Sequence, residues 1–188
     1  RTLSAPSALL TLVVSWMLPL PLAATWIAFV LSTVALPALL PVLIEAMPRR
    51  SGISKRSHLR AVGADFAFAA LQVALTITLL AHQAWIMADA IVRTLWRLTV
   101  TRRNLLEWVT AAQAKIGADL DPLGFYRRMS GGVAIAAAAG LLAAFGPLRS
   151  LFIAAPFMLL WISSPLVARW ISLPRSHART EPLSSDHA

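Results

Sequence analysis

The chain of 188 residues contains no cysteine, which excludes disulfides, thiolate metal ligands and cysteine nucleophiles. Acidic residues are scarce as well: 8 Asp+Glu stand against 17 Lys+Arg, and charged residues of all kinds make up only 13% of the chain. Its His residues, at 58, 82, 177 and 187, form no i,i+4 ligand pair. No catalytic Ser motif, phosphate loop or Gly-rich dinucleotide fingerprint occurs. No catalytic, cofactor-binding or metal-binding residue is therefore expected in this chain.

Apolar residues are abundant, at 58% of the sequence. Thr2 to Ile44, Phe66 to Ala88 and Met129 to Leu148 carry no Lys, Arg, Asp or Glu. A hydrocarbon core about 30 Å thick takes roughly 20 apolar residues per helix. These runs predict an all-α, polytopic membrane protein whose partners are the lipid bilayer and anionic headgroups. The cations sit between and beside the runs, where a cytoplasmic membrane face collects Lys and Arg. Nucleic acid is not an expected partner, because no basic patch accompanies a nucleic-acid-binding motif.

Residues 1–47 predict a first transmembrane hairpin. One helix runs from about Leu3 to Leu18 and a second from about Leu22 to Met47, with the reversal at Pro19 and Pro21. Pro37 and Pro41 predict a kink in the second helix, and Trp16 and Trp26 are expected at the lipid–water boundary. Residues 48–60 form a basic loop, expected to be cytoplasmic. The third apolar segment, 61–88, leads into 89–115. There Ile91, Leu95, Leu98, Leu105, Val109 and Ala112 recur at three- and four-residue steps, while Arg93, Arg97 and Arg103 take other faces and Arg102 interrupts the stripe. That pattern fits a basic amphipathic helix in the membrane plane, or one packed on a soluble domain.

Residues 116–128 form a polar break, 129–171 a second transmembrane hairpin and 172–188 a linker. In the second hairpin, helices are expected at Met129–Phe145 and Leu151–Ile171, about a turn at Gly146 to Ser150. Gly132, Ala136, Gly140 and Ala144 lie four apart, a spacing for close helix packing. Arg49 to Arg60, Arg93 to Arg103, Arg127-Arg128 and Arg175 to Arg179 all favour the cytoplasm. This predicts four crossings, with the third segment embedded or interfacial and both ends cytoplasmic; five crossings is the alternative. The apolar start after Arg1 and the polar Ser172 to Ala188 predict a piece of a longer protein.

Two constellations bear on chemistry. Asp119-Leu120-Asp121 has the spelling of a metal-holding Asp-x-Asp pair, but its place before Pro122 reads as a loop or cap. His82 and Gln83 lie inside the third apolar run, where polar groups are functional candidates by default. They could contact a sugar, or hydrogen-bond a neighbour or headgroup. Asp89 and Arg93 are spaced for a helical ion pair, as are Glu45 and Arg49.

His82-Gln83-Ala84-Trp85, Asp89 to Leu95, Arg102 to Trp108 and Thr110 to Gln113 resemble the cyclic β-1,2-glucan synthases, which are large bacterial inner-membrane enzymes. Leu36 to Pro41, Ser57 to Arg60 and Ser164-Pro165 are also similar. The resemblance implies a preceding glycosyltransferase domain that uses UDP-glucose as donor and a following phosphorylase-like domain, with the catalytic carboxylates in those domains. This stretch would anchor the synthase in the inner membrane and join its domains. A transporter or channel fragment is the competing class. However, transporters tend to place paired polar groups or broken helices at the midplane, often with repeated halves, whereas here the charges sit at the edges and the two hairpins show no internal similarity.

The apolar stripe generates a test. Leu95→Asp should lower membrane-fraction yield and glucan synthesis of the full-length protein far more than Thr99→Asp, because only Leu95 is a regular stripe member. Equal effects would identify the stretch as a solvated linker.

Overall fold

The computed structural model describes residues 3–46, 55–101 and 121–173. Among them are only helices, turns and bends, with no strand. In chain order these are α1 (Ser4–Ser15), α2 (Leu20–Glu45), α3 (Lys55–Trp96), a π-helical turn (Arg97–Thr101), α4 (Pro122–Arg128), α5 (Ser130–Phe145) and α6 (Leu148–Ser172). Three helices are long and apolar enough to cross a membrane: α2, α3 and α6. A fourth crossing results if α4 and α5, bent by 71° at Met129, count as one broken span. The fold is an all-α membrane protein.

The reversal between α1 and α2 follows from proline chemistry. Pro19 cannot donate a backbone hydrogen bond. Trp16, Met17 and Leu18 instead donate to the carbonyls three residues back, at 3.2, 3.1 and 3.1 Å, and tighten the last turn of α1. Pro19 is the extended N-cap of α2, and Pro21 sits in its first turn, where a missing N–H costs nothing. At 12 residues, α1 extends only about 18 Å, too short to cross alone. Pro37 and Pro41 lie inside α2, which continues through both.

The third apolar segment is the centre of the bundle. α3 is unbroken for 42 residues and packs against α1, α2, α5 and α6. Of the two placements expected for this segment, embedded or interfacial, its length, apolarity and central packing suit the embedded one. Charge counting favoured the interface because an embedded α3 separates two basic clusters. Thr78, Leu80, Ala81 and Ala84 are packing positions, and all four are buried. Two boundaries move too. The basic loop ends earlier, since 55–60 is already helical, and there is no break at Asp89, since α3 runs on to Trp96. The interfacial helix expected over 89–115 is thus, as far as Thr101, an extension of α3; the remainder lies outside the described residues.

In the second hairpin, the 116–128 break contains the short helix α4, and α6 begins at Leu148 directly after Pro147. Trp16 is not at the lipid boundary. It is fully buried, with its ring 6.0 Å from Phe157 and 5.9 Å from Trp161. An indole of this size contributes most when wholly enclosed, and α6 provides the enclosure. Trp26 is 44% exposed. Most large apolar side chains of α2 are exposed as well, as expected of a helix facing lipid.

An embedded α3 must have its ends on opposite sides of the membrane. Single cysteines at Ser57 and Thr99, treated on intact cells with an impermeant maleimide, should give labelling at one position only. Matching results at both would return α3 to the interface.

Candidate functional site

The polar residues singled out inside the third apolar run fall on different sides of α3. His82 is half-buried and faces the start of α5. The approach is close: a Cβ added at Gly132 would lie 2.9 Å from the His82 Cα. One added at Gly131 would collide with the indole of Trp85. Glycine is required at Gly132, where α5 begins directly on the backbone of α3 and an added atom would force the helices apart, while at Gly131 it leaves room for the Trp85 ring. The His82 Nδ1 is buried without a hydrogen-bond partner. Beside this junction, Tyr126 of α4 donates to the Ile162 carbonyl at 3.1 Å and ties the bent pair to α6.

Gln83 faces away from that junction. Together with Gln72 and Thr76 it lines an open groove of about 230 Å³ along α3, completed by Phe68, Leu71, Leu75 and Leu79. Gln72 was not anticipated as a site residue. Its signal was available, since positions eleven apart return to nearly the same helix azimuth.

At the far end of α3, Arg93 donates through Nε to the Asp89 carboxylate, 2.8 and 2.9 Å from its two oxygens. This is the helical ion pair expected from the spacing. Arg97 opens the π-helical turn, an irregularity that often accompanies functional positions. Arg102 and Arg103 lie outside the described residues, as do Arg49, Asp119 and 175–179. Asp121 occupies the N-cap of α4, but its side chain makes no capping bond.

The small-residue seam of α5 is real but differently composed. Gly132, Ala136 and Gly140 are buried, whereas Ala144 is exposed and Ala143 is buried in its place. Four-residue steps advance about 40° beyond a full turn, so the fourth member rotates off the interface. The seam also serves two neighbours. Gly132 meets α3 at His82, while Gly140 meets Met158 of α6. Among the described residues, no group of three His, Cys, Asp or Glu is placed to hold a metal ion.

No protein-family model matches the chain. Over 144 residues, 77% of this chain, it is 38% identical to the cyclic β-(1,2)-glucan synthase NdvB of Rhizobium meliloti (strain 1021). The chain is similar to a short stretch of that synthase. The resemblance drawn from His82 to Trp85 and the neighbouring stretches is therefore shown by comparison along most of the chain. The chain spans only 5% of that relative's length.

The glycine junction predicts a contrast within the chain. Gly132→Val must move backbone against backbone and should cost about 1–3 kcal/mol of stability. Gly63→Ala, where an added Cβ meets nothing within 4 Å, should be neutral or slightly stabilising. Thermal unfolding in detergent checks both. Equal melting temperatures for the two variants would refute the close α3–α5 contact.

Proposed function

We propose that this chain is a membrane-anchoring and scaffolding region of a cyclic β-1,2-glucan synthase, and that it holds catalytic domains of the same polypeptide at the bacterial inner membrane. The observation that carries the reading is the similarity to NdvB along most of an all-α chain whose central helix is long and apolar enough to cross a membrane. In this reading UDP-glucose is the donor used by a glycosyltransferase domain preceding the segment, and a phosphorylase-like domain follows it. Both termini face the cytoplasm, and no step of glucosyl transfer uses a residue of this chain.

The arrangement of the helices supports a scaffold. α3 contacts four other helices, so a load applied at either end spreads through the bundle. Its ends carry charge, with Arg56, Arg60 and Asp65 at one and Asp89, Arg93 and Arg97 at the other, while Phe66 to Ala88 between them is uncharged. Cations at Arg93 and Arg97 suit anionic headgroups or an adjoining domain.

A domain swap tests the reading. NdvB carrying this chain in place of its own similar stretch should keep membrane-bound glucan synthesis, and deletion of that stretch should abolish it. The chain purified alone should not turn over UDP-glucose. A swapped protein that inserts normally but makes no glucan, or turnover by the isolated chain, would overturn the assignment.

A further inference from the structure

Gln72 and Gln83 are eleven residues apart on α3, which brings them within about 20° of one another on its surface. Thr76 lies on the same strip, and Phe68, Leu71, Leu75 and Leu79 flank it. Every residue lining the groove belongs to α3. The Thr76 hydroxyl is already satisfied, donating to the Gln72 carbonyl at 2.8 Å. The two carboxamides are not: Gln72 is exposed, Gln83 is half-buried, and neither side chain makes a hydrogen bond among the described residues. Both lie inside the uncharged stretch Phe66 to Ala88, where lipid tails offer no partner.

We propose that this face of α3 pairs with the same face of a second copy of the chain. The reason lies in the chemistry of the carboxamide, which has donors and an acceptor in one group and so satisfies its own kind reciprocally. All copies insert in one orientation, so a two-fold axis along the membrane normal sets equal depths against each other. Gln72 then meets Gln72 of the second copy and Gln83 meets Gln83, with no register to adjust. A different helix would need two amides or hydroxyls at the matching separation. Among the described residues the bundle leaves this face open, because the buried positions Leu80, Ala81 and Ala84 join the core that α3 shares with α1, α2, α5 and α6. Asp65 shares the strip but sits just outside the uncharged stretch, where water and salt screen one carboxylate from its counterpart. The inference requires an embedded α3 and is independent of the glucan-synthase reading.

Cross-linking tests it cleanly because the chain has no native cysteine. Single variants Leu79→Cys, in the groove, and Leu159→Cys, on α6 and 70% exposed, would be expressed in bacterial membranes and oxidised with copper phenanthroline. Leu79→Cys should form a disulfide-linked dimer and Leu159→Cys should not. Adding Gln72→Leu and Gln83→Leu to Leu79→Cys should reduce the dimer about tenfold, a scale set by interhelical hydrogen bonds of this kind. These substitutions increase apolarity and leave insertion intact. Monomer only from Leu79→Cys, equal dimer from both cysteines, a cross-link to another protein, or dimer unchanged by the two leucines would each overturn the proposal.

Discussion

Inside an apolar bundle a polar group is costly unless it finds a partner in the protein; the Trp16 indole N–H and the His82 Nδ1 have none, whereas one residue of α6 shows how the others are satisfied. Pro165 has no N–H to give the Trp161 carbonyl four residues back. The Ser164 hydroxyl takes that place, donating to the same oxygen at 2.7 Å. With its backbone satisfied, Trp161 directs its indole N–H to the Ile77 carbonyl of α3 at 3.0 Å. The proline, the serine and the tryptophan are all buried. One local substitution of donors thus fixes α6 against the central helix, and the ring cluster of Trp16, Phe157 and Trp161 is built on it.

The same rule joins the two reversals. Ser150, at the start of α6, donates to the Trp16 carbonyl at 2.7 Å. The α1–α2 reversal is thereby tied to the turn between α5 and α6. Gly146 in that turn lies against Met17, and an added Cβ would meet its sulfur and terminal methyl at 3.0 Å. The short α1 is held by this contact and by Leu12 and Trp16, almost wholly enclosed by the bundle. A helix too short to span by itself gains its place from packing rather than from length.

The sequence made the fold class legible, because uncharged runs of this length have few other uses, and the proline reversal and the Asp89–Arg93 pair were readable from spacing. Topology was less so. The placement of the third segment relied on which side basic residues prefer, a statistical tendency, whereas the packing of Thr78, Leu80, Ala81 and Ala84 depends on helices far away in sequence. Trp16 misled for the same reason: an indole beside a reversal suits a lipid boundary until a distant α6 supplies Phe157 and Trp161. His82 and Gln83 stood out as a polar pair, but adjacent helical residues point about 100° apart. Only the structure separates the glycine junction of one from the open groove of the other.

That separation bears on what a membrane segment of this kind can contribute. Chemistry in a bilayer needs convergent ionisable groups away from water. Here the charges of α3 lie beyond the ends of its uncharged stretch, and His82 points away from the strip that carries Gln72, Thr76 and Gln83. His82 is committed to the contact with α5, because the backbones there are too close for any side chain at Gly132. What remains is geometry. α5 is clasped between α3 and α6 by glycines on two of its faces, Gly132 on one and Gly140 on the other. The Gly132 contact, backbone against backbone, resists sliding of α5 along α3, whereas at Gly140 the flexible Met158 side chain fills the space. A close α3–α5 contact accords with the scaffold proposed above more than with alternating access, which requires one group of helices to rock against another.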